Sequence, residues 1–245
     1  MFPMVTPLLK TVNSLPPGLV TVSERRGGEY DTTLAQRISA AKSDVLVAKY
    51  LEVSQYWRPK YEKEIKDFLT ISITLKQEAR ELLFNIANKK NVSLETRRDS
   101  LDQWTSPKLE TGQPTLVGIQ VRRGDKVHAN WVLPNKGYFS RAMDHFRAKY
   151  KHVYFIVVSE DKNWAKQNIL GPDVIYSTSS SDILELTLLS LCDHTIMSVG
   201  TFSWWAAYLA GGDVVYFKDH IPKHSPAYSF YNDAQYFLSD WKPML

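Results

Sequence analysis

Between residues 115 and 217 the chain switches repeatedly from continuous apolar runs of strand length to apolar stripes at helical spacing. Leu116–Val121 reads as a strand. Tyr138, Phe139, Ala142, Met143 and Phe146 form a helical stripe. Val153–Val158 is apolar at every position, as a strand covered on both faces must be. Ser159 then reads as the cap of a helix, with Glu160 and Asp161 in its first turn, where the helix dipole favours acids. Asp173–Tyr176 is a further strand, and Ser181 caps a helix running on from Asp182. Thr195–Val199 is a strand, Phe202–Ala210 a helix closed by Gly211 and Gly212, and Val214–Phe217 a last strand. This alternation predicts a doubly wound α/β fold around a parallel sheet.

The preceding sequence carries weaker signals. Residues 11–30 hold Pro16, Pro17, Gly18 and the Gly27-Gly28 pair and read as loop. Asp44–Tyr50 contains a short apolar run of strand type. Pro59 suits the first turn of a helix, with Tyr61, Ile65, Phe68 and Leu69 at helical spacing behind it. Leu75, Ala79, Leu82, Leu83 and Ile86 mark a second helix, and 91–114 reads as a polar connection. Two parts are therefore expected, a partial N-terminal α/β region over 1–112 and a Rossmann-like domain over 113–245.

Composition excludes several classes. At 44% apolar residues the chain has ample core material. A net charge of +4 over 245 residues is a mild bias, and no basic stripe or RNA-recognition signature accompanies it, so nucleic acid is not an expected partner. The single Cys192 excludes an internal disulfide, and its apolar surroundings predict a buried thiol. No apolar run reaches the ~20 residues that cross a bilayer, and no signal peptide is visible. Asn91-Val-Ser is an N-glycosylation sequon, relevant only to a secretory protein.

Ligands of open α/β sheets bind beyond the carboxyl ends of the strands, and three of those ends carry unusual residues. After the first, Arg122 and Arg123 precede Gly124 and Asp125. Two guanidinium forks suit phosphate oxygens, and Gly124 permits a turn that swings them over the sheet edge. Asp125 could orient an Arg or act on a substrate hydroxyl; the plainer alternative is an Arg–Asp pair that ties down a loop. After the second strand stand Ser159, Glu160 and Asp161, which could hold sugar hydroxyls or serve only as helix N-terminal residues. After the third come Ser198, Gly200, Thr201, Phe202 and Ser203, where a helix begins at once and offers free N–H groups to an anion. Trp204 and Trp205 read as packing, with a sugar or base pocket as the alternative. No Asp-x-Asp pair is present to hold a divalent cation against a nucleotide. The residues alone reach a diphosphate site built from Arg charge and a helix dipole, with no metal.

The segments Gln120-Val-Arg122-Arg123-Gly124-Asp125, Ser159-Glu160-Asp161-Lys-Asn-Trp164 and Glu185–Gly212 together resemble the galactoside α-1,2-fucosyltransferase family, strongly over 115–217 and faintly over 45–70. The resemblance implies a GT-B-like architecture whose first half is incomplete here. It implies transfer of L-fucose from GDP-fucose to the 2-hydroxyl of a terminal galactose on a glycan, with inversion, no metal and no further cofactor. Arg122 and Arg123 would grip the diphosphate, Ser198, Gly200, Thr201 and Phe202 would cradle it, Ser159, Glu160 and Asp161 would complete the donor side, and Glu185 would sit near the guanine. Asp125 is the first candidate for the base that takes the acceptor's proton, with Glu160, Asp161 and His128 open. The sequence departs from the pattern in three ways. Gln120 replaces the motif's His and cannot carry a proton, and both the Gly-x-x-Gly-Asn-Gln segment and the anchor usual for Golgi members are missing. The chain is thus expected to begin partway into the first half. An inactive GDP- or sugar-binding relative is the alternative reading.

Overall fold

A computed structural model describes residues 20–23, 32–41, 45–48, 54, 58, 60–94, 114–128, 131–225, 228 and 231–245. Pro59, the Tyr56-Trp57 part of the faint N-terminal resemblance and the connection over 95–113 lie outside the described residues. The described residues up to Thr70, with those between Lys223 and Ser239, cluster as one unit; Ile71–Pro222 with Asp240–Leu245 form another.

In the first unit, β1 (Val20–Ser23) and β2 (Val45–Ala48) pair in parallel, Val20 opposite Val45. The stretch expected to be loop therefore contains a strand: Val20-Thr-Val22 is β-branched, and the Pro and Gly residues on either side hid it. This unit also holds α1 (Leu34–Ala40), α2 (Glu62–Phe68) and, later in the chain, a short helix over Asp233–Tyr236.

The second unit opens with α3 (Ile73–Asn88), capped by Ser72, whose hydroxyl accepts the Leu75 N–H. The alternation then appears as read. It runs β3 (Thr115–Val121), α4 (Gly124–His128), α5 (Lys136–Lys149), β4 (Val153–Ser159), α6 (Lys162–Asn168), β5 (Val174–Tyr176) and α7 (Asp182–Ser190). It continues through β6 (His194–Met197), α8 (Thr201–Ala210) and β7 (Val214–Phe217). The helix over Asp233–Tyr236 is α9, and a last strand, β8 (Lys242–Met244), closes the chain. The six strands form one parallel sheet in the order β5-β4-β3-β6-β7-β8.

Alternation of side chains across the sheet separates its two faces. Val117, Ile119 and Val121 of β3 pack with Phe155, Val157 and Ile196 against Tyr138, Phe139, Ala142, Met143 and Phe146 of α5. Residues of the other parity meet α7, since a Cβ at Gly118 would stand 2.9 Å from Leu189 Cδ2 and 3.4 Å from the buried Cys192 Sγ. Helices thus cover both faces, which makes the sheet doubly wound and Rossmann-like. Tyr138 spans from α5 to the strands, its hydroxyl donating to Met197 O at 2.7 Å, and burial pushes its pKa well above the usual value. Fully burying a side chain of this size contributes about 2–3 kcal/mol, so the stripe alone anchors α5.

Two local expectations are corrected. Ser159 does not cap a helix: it is the last residue of β4, and Asp161 caps α6 by accepting the Trp164 N–H at 3.0 Å. Glu160 consequently lies ahead of the helix rather than in its first turn. Gly124, expected to permit a turn, instead opens α4 at ordinary φ.

Candidate donor-side site

Because β3 lies between β4 and β6, the loops leaving these three strands are neighbours at the carboxyl edge of the sheet. On the β6 side, the Arg122 backbone N–H donates to Ser198 Oγ at 2.8 Å. Ser198 Oγ donates in turn to Gln120 Oε1 at 2.7 Å, and Ser203 Oγ donates to the same oxygen. Gln120, Ser198 and Ser203 are all buried. Gln120 has the parity that points it to the face covered by α7 and α8, which is why it meets the first turn of α8.

The tip of α8 is open. Its N-cap is Gly200 at φ +88, a conformation that L side chains rarely adopt, and no side chain caps the helix. Nothing lies within 4 Å of where a Gly200 Cβ would be, so the backbone conformation, rather than crowding, calls for glycine. Thr201 is exposed and Phe202 half-buried. The free N–H groups and positive dipole end of this ten-residue helix are suited to an anion.

On the β4 side the two guanidiniums meet acids. Arg122 Nη2 donates to Asp125 Oδ1 at 2.6 Å, and Arg122 Nε is 3.7 Å from Glu160 Oε1. Arg123 lies over the Trp164 ring, 4.2 Å from its centroid, with Nε 3.8 Å from Asp161 Oδ2 and no hydrogen bond to it. Glu160 Oε1 also accepts the Arg123 backbone N–H at 2.6 Å, and a Cβ at Gly124 would stand 3.0 Å from that oxygen. Glu160 therefore holds the Arg loop against β4. Desolvation pushes the Asp125 carboxyl up, but the Arg122 and Lys126 charges outweigh it and hold the group below its usual value.

The structure thus ties the Arg loop to both neighbouring loops, although its guanidiniums lean toward Asp125, Glu160 and Asp161. Ser159 and Ser198 face the interior: Ser159 Oγ donates to Val121 O at 2.9 Å and accepts the Asp161 N–H at 3.0 Å. Trp204 packs against Tyr208 and Trp241, in keeping with its reading as core. Glu185 lies in the first turn of α7, which Ser181 caps as expected. It is only 6% exposed, and its Oε1 has no hydrogen-bond partner. Burial pushes its pKa up to about 7 against the pull of Lys162 and a hydrogen bond with Ser177. A buried acceptor with no partner is costly to keep unless a donor arrives from a ligand.

Sequence reasoning missed three contributors: the Gln120–Ser203 bond, the Trp164 ring under Arg123, and the Glu160 bond to the loop backbone. Strand parity marks Gln120 as facing α8's side; the other two depend on β4 lying beside β3, which no local signal reveals. Among the described residues no three His, Cys, Asp or Glu side chains gather as metal ligands, and no helix is long and apolar enough to cross a membrane.

Comparison with known proteins covers the same region. The chain is 40% identical over 146 residues to galactoside alpha-(1,2)-fucosyltransferase 2 of Mus musculus, an alignment of 55% of this chain and 42% of that protein. It is 36% identical over 137 residues to galactoside 2-alpha-L-fucosyltransferase Sec1 of Mus musculus, covering 52% of this chain and 37% of that one. Among solved structures, fucosyltransferase NodZ from Bradyrhizobium aligns with a TM-score of 0.39 at 15% identity, over 70% of this chain and 55% of that one. The chain spans about two fifths of the length of the curated relatives it matches. Residues 107–244 match the family model for Glycosyl transferase family 11, more than half of the sequence, and the chain belongs to that family.

Proposed function

We propose that the protein transfers L-fucose from GDP-fucose to the 2-hydroxyl of a terminal galactose, with inversion and without a metal, in the Golgi. One observation carries this assignment: the segment that matches the family contains the six-stranded sheet whose carboxyl edge carries both the Arg122–Arg123 loop and the uncapped tip of α8. Arg122 and Arg123 supply the fixed charge, and the open tip of α8 supplies N–H donors, for the negative charge that develops on GDP as the glycosidic bond breaks. The fucose passes through an oxocarbenium-like state. The acceptor oxygen forms the new bond on the opposite face, GDP departs with the electron pair of the old bond, and the acceptor's proton goes to a carboxylate. Glu185 fits guanine, whose N1–H and amino group are donors that its unpartnered oxygen lacks.

Asp125 serves two states. At rest it holds Arg122 through a surface pair that is weak enough to exchange for phosphate. Once Arg122 turns to the diphosphate, Asp125 loses the larger of the two charges that depress its basicity, Lys126 remaining, and becomes the proton acceptor. Incubation with GDP-fucose and a β-galactoside should release GDP and form a 2-linked fucoside. A folded protein that binds GDP but releases none would instead favour an inactive binding relative, the reading supported by Gln120 in place of an ionisable His and by guanidiniums paired with acids at rest.

A further inference from the structure

Gln120 is 3% exposed and accepts hydrogen bonds from two hydroxyls that belong to the opposite loop and helix. We infer that Gln120 is a positioning residue for the donor site, a clamp that sets the Arg loop and the tip of α8 in fixed register before a ligand arrives. The inference rests on the donor reading above and adds to it a residue whose side chain need not touch the ligand.

The chain of bonds runs from one side of the site to the other. Ser203 occupies the first turn of α8 and is fully buried. Its hydroxyl reaches Gln120 Oε1, the Ser198 hydroxyl reaches the same oxygen, and Ser198 Oγ receives the Arg122 N–H. The helix whose tip carries no side-chain cap is therefore fixed from below by β3. The same oxygen fixes, through Ser198, the backbone of the residue that carries the first guanidinium. Because the Arg122 N–H is spent on Ser198 and the Arg123 N–H on Glu160, these two residues are left to reach phosphate through their side chains, while α8 offers backbone donors. A shift of about 1 Å between such groups can cost about 100-fold in rate, so a bond network that fixes their spacing has a functional consequence. Removing the shared acceptor would strand two buried hydroxyls, which restores neither the old register nor a stable new one.

The test compares wild type, Gln120→Leu, Gln120→His and Ser203→Ala by calorimetric titration with GDP, amide hydrogen exchange and thermal melting. Gln120→Leu should weaken GDP binding about tenfold and speed exchange at the Arg122 amide. Gln120→His, whose ring nitrogen can accept one of the two hydroxyls, should restore part of both. Ser203→Ala removes one arm and should weaken binding about threefold, which keeps the test open should the Leu variant not fold. A lowered melting temperature with GDP affinity of the folded fraction unchanged would overturn the role, leaving Gln120 a fold-stabilising residue only. Failure of folded wild type to bind GDP would overturn the donor reading and this role with it, whereas binding by wild type and equal binding by all three variants would overturn this role alone.

Discussion

At the amino-terminal end of the six-stranded sheet, Arg147 closes on Asp173 through two hydrogen bonds of 2.7 and 2.8 Å and takes Asp144 at 2.8 Å. At the carboxyl-terminal end, Arg122 takes Asp125 at 2.6 Å but stands 3.7 Å from Glu160, and Arg123 stands 3.8 Å from Asp161 with no hydrogen bond from its buried Nε. The first arrangement is a bidentate fork whose hydrogen bonds hold Arg147 more firmly in its charged form. The second leaves Arg123 Nε without a hydrogen bond, at the sheet edge that also carries the uncapped tip of α8. On the donor-site reading proposed above, the difference separates charge that holds a fold from charge that takes a ligand, and the looser pairing falls at the carboxyl end of the sheet, where ligands of open α/β sheets bind.

Substitution at the two ends should break the comparison if it is wrong. Arg122→Ala is expected to lower turnover by roughly 100-fold or more, read as GDP release from GDP-fucose, with little rescue in Arg122→Lys because an ammonium lacks the planar fork. Near-normal turnover in Arg122→Ala would move the diphosphate elsewhere. Glu185 gives the next largest effect. Its folded pKa of about 7 lies above the ordinary 4.5, so the folded state binds its proton more tightly than the unfolded state. The stability this contributes is fully present below about pH 4.5 and is lost as pH rises through 7, by about 3 kcal/mol in all. Glu185→Gln should flatten that slope in chemical denaturation between pH 4.5 and 8, and an unchanged slope would assign the titration to another group. Arg147→Ala should cost about 1–2 kcal/mol of stability and leave the KM for GDP-fucose unchanged in the folded fraction. A raised KM would show that the amino-terminal pair is not merely structural. Gly200→Ala should cost about 1–3 kcal/mol of stability through its backbone conformation alone, φ +88 and ψ 168, since the added methyl meets nothing.

The same contrast explains what the sequence made legible. The fully apolar Val153–Val158 and the α5 stripe each repeat one period over a whole element, so their type and place were readable. So was Gly211, whose φ of +75 ends α8 as its position predicts. Lys242-Pro-Met244 was not readable: a three-residue edge strand has no period to detect, and only pairing with β7 makes it one. Ser159 and Asp161 were exchanged as helix cap because both residue types cap equally well and stand two positions apart. Strand-end logic put Arg122, Arg123 and the Gly200 loop at the carboxyl edge of the sheet, where the structure has them on neighbouring strands. It did not show that Glu160 holds the Arg123 backbone or that Gln120 ties Ser198 to Ser203, because both depend on which strands are neighbours, and strand order is set by tertiary packing.

The central claim is that the Arg122–Arg123 pair and the tip of α8 take the same diphosphate. A crystal structure of the protein with GDP tests it most directly. Oxygens of one diphosphate should lie about 3 Å from the Arg122 guanidinium and from a backbone nitrogen of the Thr201–Ser203 turn, with Asp125 released from Arg122. A diphosphate bound away from either group, with the Arg122–Asp125 pair still closed, would contradict it.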